Sequence, residues 1–594
     1  MSKSKDAGAY DLESLRLPSL KAGALRAFAG ALTLPVVGGR IAAKLAKDAG
    51  LAALESARFE DSDSESESES ESESESDSGP ESEPGSESGS ESESDADHGF
   101  ASRTGVVERL FGAWGRRDMA FVSVLDLHAR FRDGRSDPVQ VASSALDAME
   151  RRQPALHAMI AFNRDDVLRL AEAALKRWRA GTPRGPLDGV PVVVKDELDM
   201  VPYPTTVGTT FLGKSAAVRD ATAVARLRRA GAVLLGKANM HEIGINPTGA
   251  NNHYGHVANP YALRRDAGGS SSGSAAAVAA GLCPVSVGAD GGGSIRVPAA
   301  LCGVVGLKPT FGRVSEAGAA PLCWSVAHVG PMAATVGDAL LAYAIMAGPD
   351  LRDPNTGLQP PLARDPDILS PWSSTPISAE RAAIRIGIFE PWFEHAEAPI
   401  VEACAAAVET LVASGEAERR DIVITHLNAY RVAHVVTILS EMAAFMESHP
   451  GCLSSLGPHA QINLRAAHRF TATDYVRAQR ARAHAMRQLE RVFQTVDVIA
   501  TPTTAVVAPV IPVVDPADAW SDLSTTTELM RFCYLTNLTG HPSISVPCGY
   551  TEDGLPIGLQ LIAPHWHEAR LFQVAARVET ATIRRPPPDY HALG

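Results

Sequence analysis

The 594-residue sequence is poor in the features that mark secreted, membrane-spanning and metal-binding proteins. Its seven cysteines are an odd number without a CxxC pair, which favours an intracellular, reducing compartment, in the cytoplasm or at the periphery of a membrane. No apolar run reaches the roughly 18–20 residues that a spanning helix needs. No HExxH motif or Cys/His ligand set occurs, so no metal and no other cofactor is implied.

Positive charge is missing from one long segment. Residues 60–97 contain 17 acidic groups and no Lys, Arg or aromatic residue. Without these 17 negative charges the net charge of −14 becomes +3, so nothing in the charge argues for nucleic-acid binding. A Ser/Glu/Asp tract buries too little surface to offset its ordering entropy, which predicts disorder over residues 60–100. A phosphorylated or partner-binding tract is the alternative.

Residues 1–59 are basic, with nine basic and five acidic groups, and contain two apolar stripes. Leu25, Phe28 and Leu32 are at helical spacing, and after Pro35 a weaker stripe runs through Ile41 and Leu45. This pattern predicts two short amphipathic helices. They either dock on the body of the protein or form an element at a membrane surface or substrate entrance.

Residues 101–594 are predicted to form one α/β domain. Strand signals at residues 190–194, 232–235, 285–287, 498–499 and 544–546 alternate with helical segments, which favours an α/β sandwich around one mixed sheet. Asp137-Pro138 predicts a helix N-cap followed by proline in the first turn. The first strand signal is β-branched, and it places Lys195 at the end of a buried strand.

Two glycine-rich segments contain the candidate chemistry. Ser270 lies within Gly-Gly-Ser-Ser-Ser-Gly-Ser at residues 268–274, and Ser294 lies within Asp-Gly-Gly-Gly-Ser-Ile-Arg at residues 290–296. Two hydroxyls, the amine of Lys195 and free backbone N–H groups are what acyl transfer without histidine requires. A linker or a phosphate cradle is the alternative, but the Gly-Lys-Ser/Thr of a P-loop is missing.

In residue type and spacing, these segments resemble the amidase signature family from about residue 123 to residue 560. The resemblance implies one large, mixed, twisted sheet with helices on both faces, and it makes residues 101–594 the catalytic domain. It also implies a Ser-Ser-Lys triad in which Ser294 is the nucleophile, Ser270 follows a cis peptide bond and bridges, and Lys195 is the base. The oxyanion hole would consist of the backbone N–H groups of Gly291, Gly292, Gly293 and Ser294.

Three residues next to the triad are expected to support it. Ser271 is expected to hydrogen-bond Ser270, and Asp290 and Arg296 are expected to orient the nucleophile loop, with ordinary core ion pairing as the alternative. Lys195 must be neutral to act as a base, which suits burial after the valine run. This role also requires the carboxylates of Asp196 and Glu197 to point away from the amine.

The nucleophile segment most resembles the plant-type fatty acid amide hydrolases, as does Pro-Thr-Thr-Val-Gly-Thr-Thr at residues 204–210. This resemblance implies a lipid amide substrate, such as an N-acylethanolamine or a primary fatty amide, and a homodimer at a membrane surface. A general small-amide amidase and an amidotransferase A-type subunit remain open. A non-catalytic scaffold that recruits partners through the acidic tract is the hypothesis from another class.

Overall fold

The computed structural model describes residues 10–12, 14, 20–32, 41–42, 44–45, 50–57, 120–362, 383–512 and 520–593. The predicted disordered tract at residues 60–100 lies outside these ranges, and so does part of the second N-terminal stripe.

One large mixed sheet organises the domain. Among the described residues this sheet has eleven strands, which in spatial order are β11 (Ala417–Asp421), β10 (Ile384–Ile388), β12 (Val498–Pro502), β15 (Pro556–Ile562), β14 (Ser543–Tyr550), β8 (Val305–Lys308), β9 (Val329–Ala333), β7 (Val285–Ala289), β3 (Pro191–Lys195), β4 (Val233–Ala238) and β2 (Met159–Ala161). The parallel pairs form two groups, in which β3 lies between β7 and β4, and β10 lies between β11 and β12. The pairs between these two groups are antiparallel, and so is the edge pair of β4 and β2.

Helices pack against this sheet, and the predicted α/β fold class is confirmed. Two short ladders join β1 (Leu20–Lys21) to β13 (Trp520–Ser521) and β5 (Ala258–Asn259) to β6 (Ala262–Asp266). The helices are α1 (Ala22–Ala31), α2 (Leu51–Ser56), α3 (Val124–Arg132), α4 (Pro138–Leu156), α5 (Arg164–Arg179), α6 (Thr222–Arg229), α7 (Ser272–Ala279), α8 (Arg296–Leu301), α9 (Val336–Met346), α10 (Glu390–Phe393), α11 (Ala398–Ala413), α12 (Leu427–Glu447), α13 (Pro458–Ala467), α14 (Ala472–Phe493), α15 (Leu523–Met530), α16 (Tyr534–Thr539) and α17 (Glu568–Ala581).

Local sequence explains several of these elements. All five residues of β3 are buried, as expected for a β-branched strand with a parallel neighbour on each side. The Asp137 side chain accepts hydrogen bonds from the first turn of α4, with Pro138 at its first position, so the predicted N-cap is confirmed. All five predicted strand segments are found, as β3, β4, β7, β12 and β14.

The described part of the N-terminal extension lies against the domain. Leu25, Ala29 and Leu32 bury their side chains with Ile462 of α13, and α2 packs on α12 and α14. The first predicted amphipathic helix is therefore α1. No helix in the described ranges is long and apolar enough to cross a membrane.

Candidate active site

The amine of Lys195 lies at the end of β3, fully buried, and points at the first serine. Its Nζ atom donates to Ser270 Oγ over 2.9 Å and to the Ala289 carbonyl over 3.1 Å. Both partners belong to the glycine-rich segments that the sequence singled out or lie directly beside them. The structure thus brings together a lysine and a serine that are 75 residues apart in the sequence.

The two carboxylates that follow Lys195 behave differently. The carboxylate of Asp196 points away as expected and lies 3.3 Å from the amine of Lys237. The expectation is wrong for Glu197, whose Oε2 atom lies 2.7 Å from Lys195 Nζ. The strand ends at Lys195 and the chain turns there, with the Leu198 N–H donating to the Lys195 carbonyl over 3.1 Å. This turn returns the Glu197 side chain to the amine.

The segment of Ser270 is fixed by backbone contacts. The Gly269–Ser270 peptide bond is cis, as the resemblance implies. The expected hydrogen bond between Ser271 and the Ser270 hydroxyl is not formed, because the Ser271 hydroxyl donates to the Ala289 carbonyl over 3.1 Å. The Ser271 N–H donates to the Ser294 carbonyl, also over 3.1 Å, and so ties the two glycine-rich segments together. Ser271 therefore supports the site through Ala289 and Ser294.

Ser294 stands at the surface of the site. The residue is 8% exposed, and its hydroxyl makes no hydrogen bond to any residue that the structure describes. The backbone N–H groups of Gly291, Gly292 and Ser294 likewise have no acceptor among the described residues. Three free donors beside a free hydroxyl are the arrangement that stabilises an oxyanion during acyl transfer.

Gly293 does not share that arrangement. Its N–H donates to Asp290 Oδ1 over 2.6 Å, so the predicted place of Gly293 in the oxyanion hole is wrong: its donor is already taken by a carboxylate. Gly293 is needed for its conformation instead, because its φ of 123° belongs to the region that favours glycine. An added Cβ would also lie 2.8 Å from Cys533 Cβ.

Asp290 and Arg296 form the buried base of the loop at residues 290–296, which contains Ser294. Besides Gly293, the Asp290 carboxylate accepts from the Ile295 N–H over 3.0 Å and from Arg296 Nε and Nη2 over 3.0 Å each. Burial alone would raise the pKa of Asp290, but the Arg296 guanidinium holds this pKa well below its usual range. Both side chains are fully buried and charged. The hydrogen bonds of Asp290 to the Gly293 and Ile295 N–H groups are the expected loop-orienting contacts.

Two further residues hold the loop and were missed as site residues in the sequence. Asn537 donates from Nδ2 to the Asp290 carbonyl over 2.8 Å and to Asp290 Oδ1 over 2.9 Å. His434 Nε2 lies 2.7 Å from the Gly291 carbonyl. Burial lowers the pKa of His434 to about 4, so the ring is neutral and Nε2 is its donor. Neither residue stands in a motif with a recognisable catalytic spacing.

An apolar cavity of about 170 Å³ shares two wall residues with the surroundings of this loop. His434 and Met530 line it, and these two side chains are also the nearest neighbours of Gly292, where an added Cβ would lie 2.9 Å and 2.6 Å from them. Eight of the sixteen other lining residues belong to α12 and α13, and Leu45 of the N-terminal extension also lines the cavity. The side chains of His434 and Met530 therefore lie between Gly292 and the cavity and contribute to its wall.

The histidines near the C-terminus have structural contacts. His565 lies against His541, with ring centroids 3.8 Å apart, and its Nε2 is hydrogen-bonded to the Thr539 carbonyl over 2.9 Å. Within the described ranges, no group of three or more His, Cys, Asp or Glu side chains could hold a metal ion.

Known proteins that are similar to this chain include amide hydrolases and a subunit of an amidotransferase. The family described as Amidase matches residues 140–572. A fatty acid amide hydrolase of Oryza sativa subsp. indica is 39% identical over 489 residues, which cover 81% of this chain and 78% of that protein. The A-type subunit of a glutamyl-tRNA(Gln) amidotransferase from Symbiobacterium thermophilum is 36% identical over 490 residues, 78% of this chain and 97% of that protein. The solved structure of a peptide amidase from Stenotrophomonas maltophilia, 29% identical, covers 78% of this chain and 98% of its own, with a TM-score of 0.66.

Proposed function

Since this chain belongs to the amidase family and is an amide-bond hydrolase, we propose that it cleaves fatty acid amides through an acyl-enzyme on Ser294. The main structural support for this substrate class is the apolar cavity whose wall includes His434 and Met530, the two side chains nearest to Gly292. The similarity to plant fatty acid amide hydrolases supports the same class.

In the first step, Ser294 Oγ attacks the amide carbonyl carbon and its proton passes to Ser270. The backbone hydrogen bond between Ser271 and Ser294 supports this path, because it holds the two segments side by side. Ser270 hands its own proton to Lys195, with which it already shares a hydrogen bond of 2.9 Å. Hydrogen bonds of a catalytic site are often long before a substrate binds, which suits the free hydroxyl of Ser294.

The negative charge that develops on the carbonyl oxygen needs donors that are already in place. We assign this role to the N–H groups of Gly291, Gly292 and Ser294. His434 supports them because it fixes the carbonyl of Gly291, and Asp290 supports them because it fixes Gly293 and Ile295. Loss of one such donor in other hydrolases costs about 10²–10³ in rate.

When the tetrahedral intermediate collapses, the same path runs in reverse. The proton returns through Ser270 to the departing nitrogen, so that an amine leaves rather than an unstable amide anion. Water then attacks the acyl-enzyme, and its proton takes the path that the Ser294 proton took. The fatty acid leaves and the Ser294 hydroxyl is restored.

The cavity gives long acyl chains an advantage over short ones. A buried methylene is worth about 0.8 kcal/mol, so five of them in the cavity contribute about 4 kcal/mol. When this binding free energy is kept in the transition state, it raises kcat/KM for the long-chain amide about a thousandfold. We therefore expect N-acyl amides with long chains to be cleaved far better than acetamide-sized ones.

A labelling experiment tests the nucleophile and a chain-length series tests the substrate. A fluorophosphonate should label wild type at Ser294 and fail to label Ser294→Ala. The matched control is Ser272→Ala, which removes a buried hydroxyl of the neighbouring segment and should leave labelling unchanged. Labelling at another residue would disprove the nucleophile, and a preference for short, polar amides would leave a general amidase.

An N-terminal role in substrate entry follows from the position of Leu45. The α1 helix packs on α13, and α13 lines the cavity through Ile462, Asn463 and Ala466. Removal of residues 1–59 should therefore reduce kcat/KM for long-chain amides more than for short ones. Peripheral membrane contact and a homodimer, which the resemblance implies, are further proposals, to be tested by liposome co-sedimentation and light scattering.

A further inference from the structure

The amine of Lys195 has a third contact, with a carboxylate that the reaction above does not use. Lys195 Nζ lies 2.7 Å from Glu197 Oε2, and the two side chains are 1% and 6% exposed. A buried pair of this kind is either an ion pair or a neutral pair that shares one proton. In both cases the carboxyl group of Glu197 is part of the environment in which Lys195 must accept a proton.

Other titratable groups surround this pair. Glu316 and Cys323 lie within electrostatic range of Glu197, and Glu441 lies within range of both of them. His241, whose pKa burial holds well below its ordinary value, lies within range of Lys195. Burial raises the pKa of both Glu316 and Cys323 well above the ordinary values, so both are neutral. The carboxylate of Glu441 is engaged elsewhere, since it accepts from the Ser325 N–H over 3.1 Å and from the Tyr475 hydroxyl over 3.0 Å. Glu197 is thus the acid that is placed to exchange a proton with Lys195.

An ammonium that already holds three protons cannot act as the base for Ser270. The ion pair therefore conflicts with a simple Ser-Ser-Lys relay unless Lys195 can release a proton as it receives one. Release to bulk water is obstructed because both side chains are buried. Among the contacts that Lys195 makes with described residues, only Glu197 can take a proton, since the other two are a hydroxyl and a carbonyl.

We propose that Glu197 acts through Lys195 as a positioning residue and as the terminal proton acceptor of the relay. In acylation, the bond between Ser294 Oγ and the carbonyl carbon forms while the Ser294 proton moves to Ser270 and the Ser270 proton moves to Lys195. Lys195 passes one of its own protons to the Glu197 carboxylate and stays an ammonium. When the C–N bond breaks, the protons move back along the same chain and the leaving nitrogen receives one.

This inference rests on the proposed roles of Ser294, Ser270 and Lys195, and its test can fail separately from them. The comparison needs only an amide that the wild type cleaves, so a failure of the fatty-amide assignment does not affect it. Labelling of Ser294 tests the nucleophile independently of Glu197.

The experiment is a pH–rate profile of Glu197→Gln. Glutamine keeps the size of the side chain but cannot take up a proton, so Lys195 must lose one to solvent before each turnover. We expect kcat near neutral pH to fall about a hundredfold or more, KM to change little, and the loss to shrink as pH rises. A wild-type kcat, or a loss that is equal at every pH, would overturn the proposal.

Two further variants serve as controls for the result of Glu197→Gln. The matched control is Glu316→Gln, which replaces a buried and already neutral acid beside the same pair, and we expect its kcat to stay within about threefold of wild type. Glu197→Asp keeps a carboxylate and should retain the wild-type pH profile at a reduced kcat. If Glu197→Gln does not fold, the Glu197→Asp profile decides, and a profile displaced to higher pH contradicts the proposal.

Discussion

One buried carboxylate binds several groups of the loop at residues 290–296, which contains Ser294, and Asp290→Asn tests whether this loop depends on it. Asp290 accepts hydrogen bonds from the backbone of Gly293 and Ile295 and from the side chains of Arg296 and Asn537. An asparagine would leave the guanidinium of Arg296 buried without its counter-ion. It would also turn an NH₂ group towards donors that need an acceptor.

The expected cost follows from complete burial. Asp290 and Arg296 are both 0% exposed, and breaking a buried pair by removal of one partner typically costs about 3–5 kcal/mol. A folded protein of ordinary stability has about 5–15 kcal/mol in total. Asp290→Asn should therefore remain mostly folded at room temperature but lose a large share of its unfolding free energy.

The activity should fall as well, because Gly293 and Ile295 flank Ser294 and lose their shared acceptor. A displacement of about 1 Å in a reacting group can cost about a hundredfold in rate. We expect fluorophosphonate labelling of Ser294 to slow by about that factor in the fraction of protein that is folded.

The assay combines urea denaturation with labelling kinetics. The matched control is Asp497→Asn, which breaks a second bidentate Asp–Arg pair whose members, Arg385 and Asp497, are 37% and 24% exposed. Exposed pairs of this kind are worth about 0–1 kcal/mol, so the control should unfold nearly as wild type. Two results would show that the loop does not depend on the buried charge. One is an equally small loss of unfolding free energy in Asp290→Asn and Asp497→Asn, and the other is labelling of Ser294 at the wild-type rate in Asp290→Asn.

Three further predictions concern His434, Lys195 and the acidic tract. Burial lowers the pKa of His434 to about 4, against about 6.5 in the unfolded chain. Between these two values the unfolded state binds a proton that the folded state does not, so the unfolding free energy falls as pH drops from about 6.5 to about 4, by up to about 3 kcal/mol. His434→Gln should remove this part of the pH dependence. If the unfolding free energy of the variant falls with pH as steeply as that of wild type over this range, the prediction is wrong. Lys195→Ala should reduce kcat sharply and flatten the acid side of the pH–rate profile, and an unchanged profile would show that another group is the base. Deletion of residues 60–97 should change kcat on a soluble amide by less than about tenfold, or about 1.4 kcal/mol of barrier; a larger loss would mean that the tract acts on the catalytic domain.

The sequence by itself determined the type of reaction and much of the local structure. The spacing of Lys195, Ser270 and Ser294 identified the family, because amide hydrolysis without histidine needs those groups in glycine-rich backbone. The valine run of β3, the Asp137 N-cap and the stripe of α1 were predictable for a related reason. Each depends on side chains within one or two turns of each other, so a short window of sequence contains the physical cause.

The tertiary structure decided which groups are occupied and which are free. Gly293 has the same residue type as Gly291 and Gly292, and only the fold shows that its N–H is taken by Asp290. Glu197 meets the amine of Lys195 because the chain turns where β3 ends, and no local pattern gives the direction of that turn. His434 lies 143 residues from the Gly291 carbonyl that it holds, and the cavity takes its lining from helices that meet only on folding. Such contacts depend on how distant elements pack, and a single sequence does not contain that packing in any short segment.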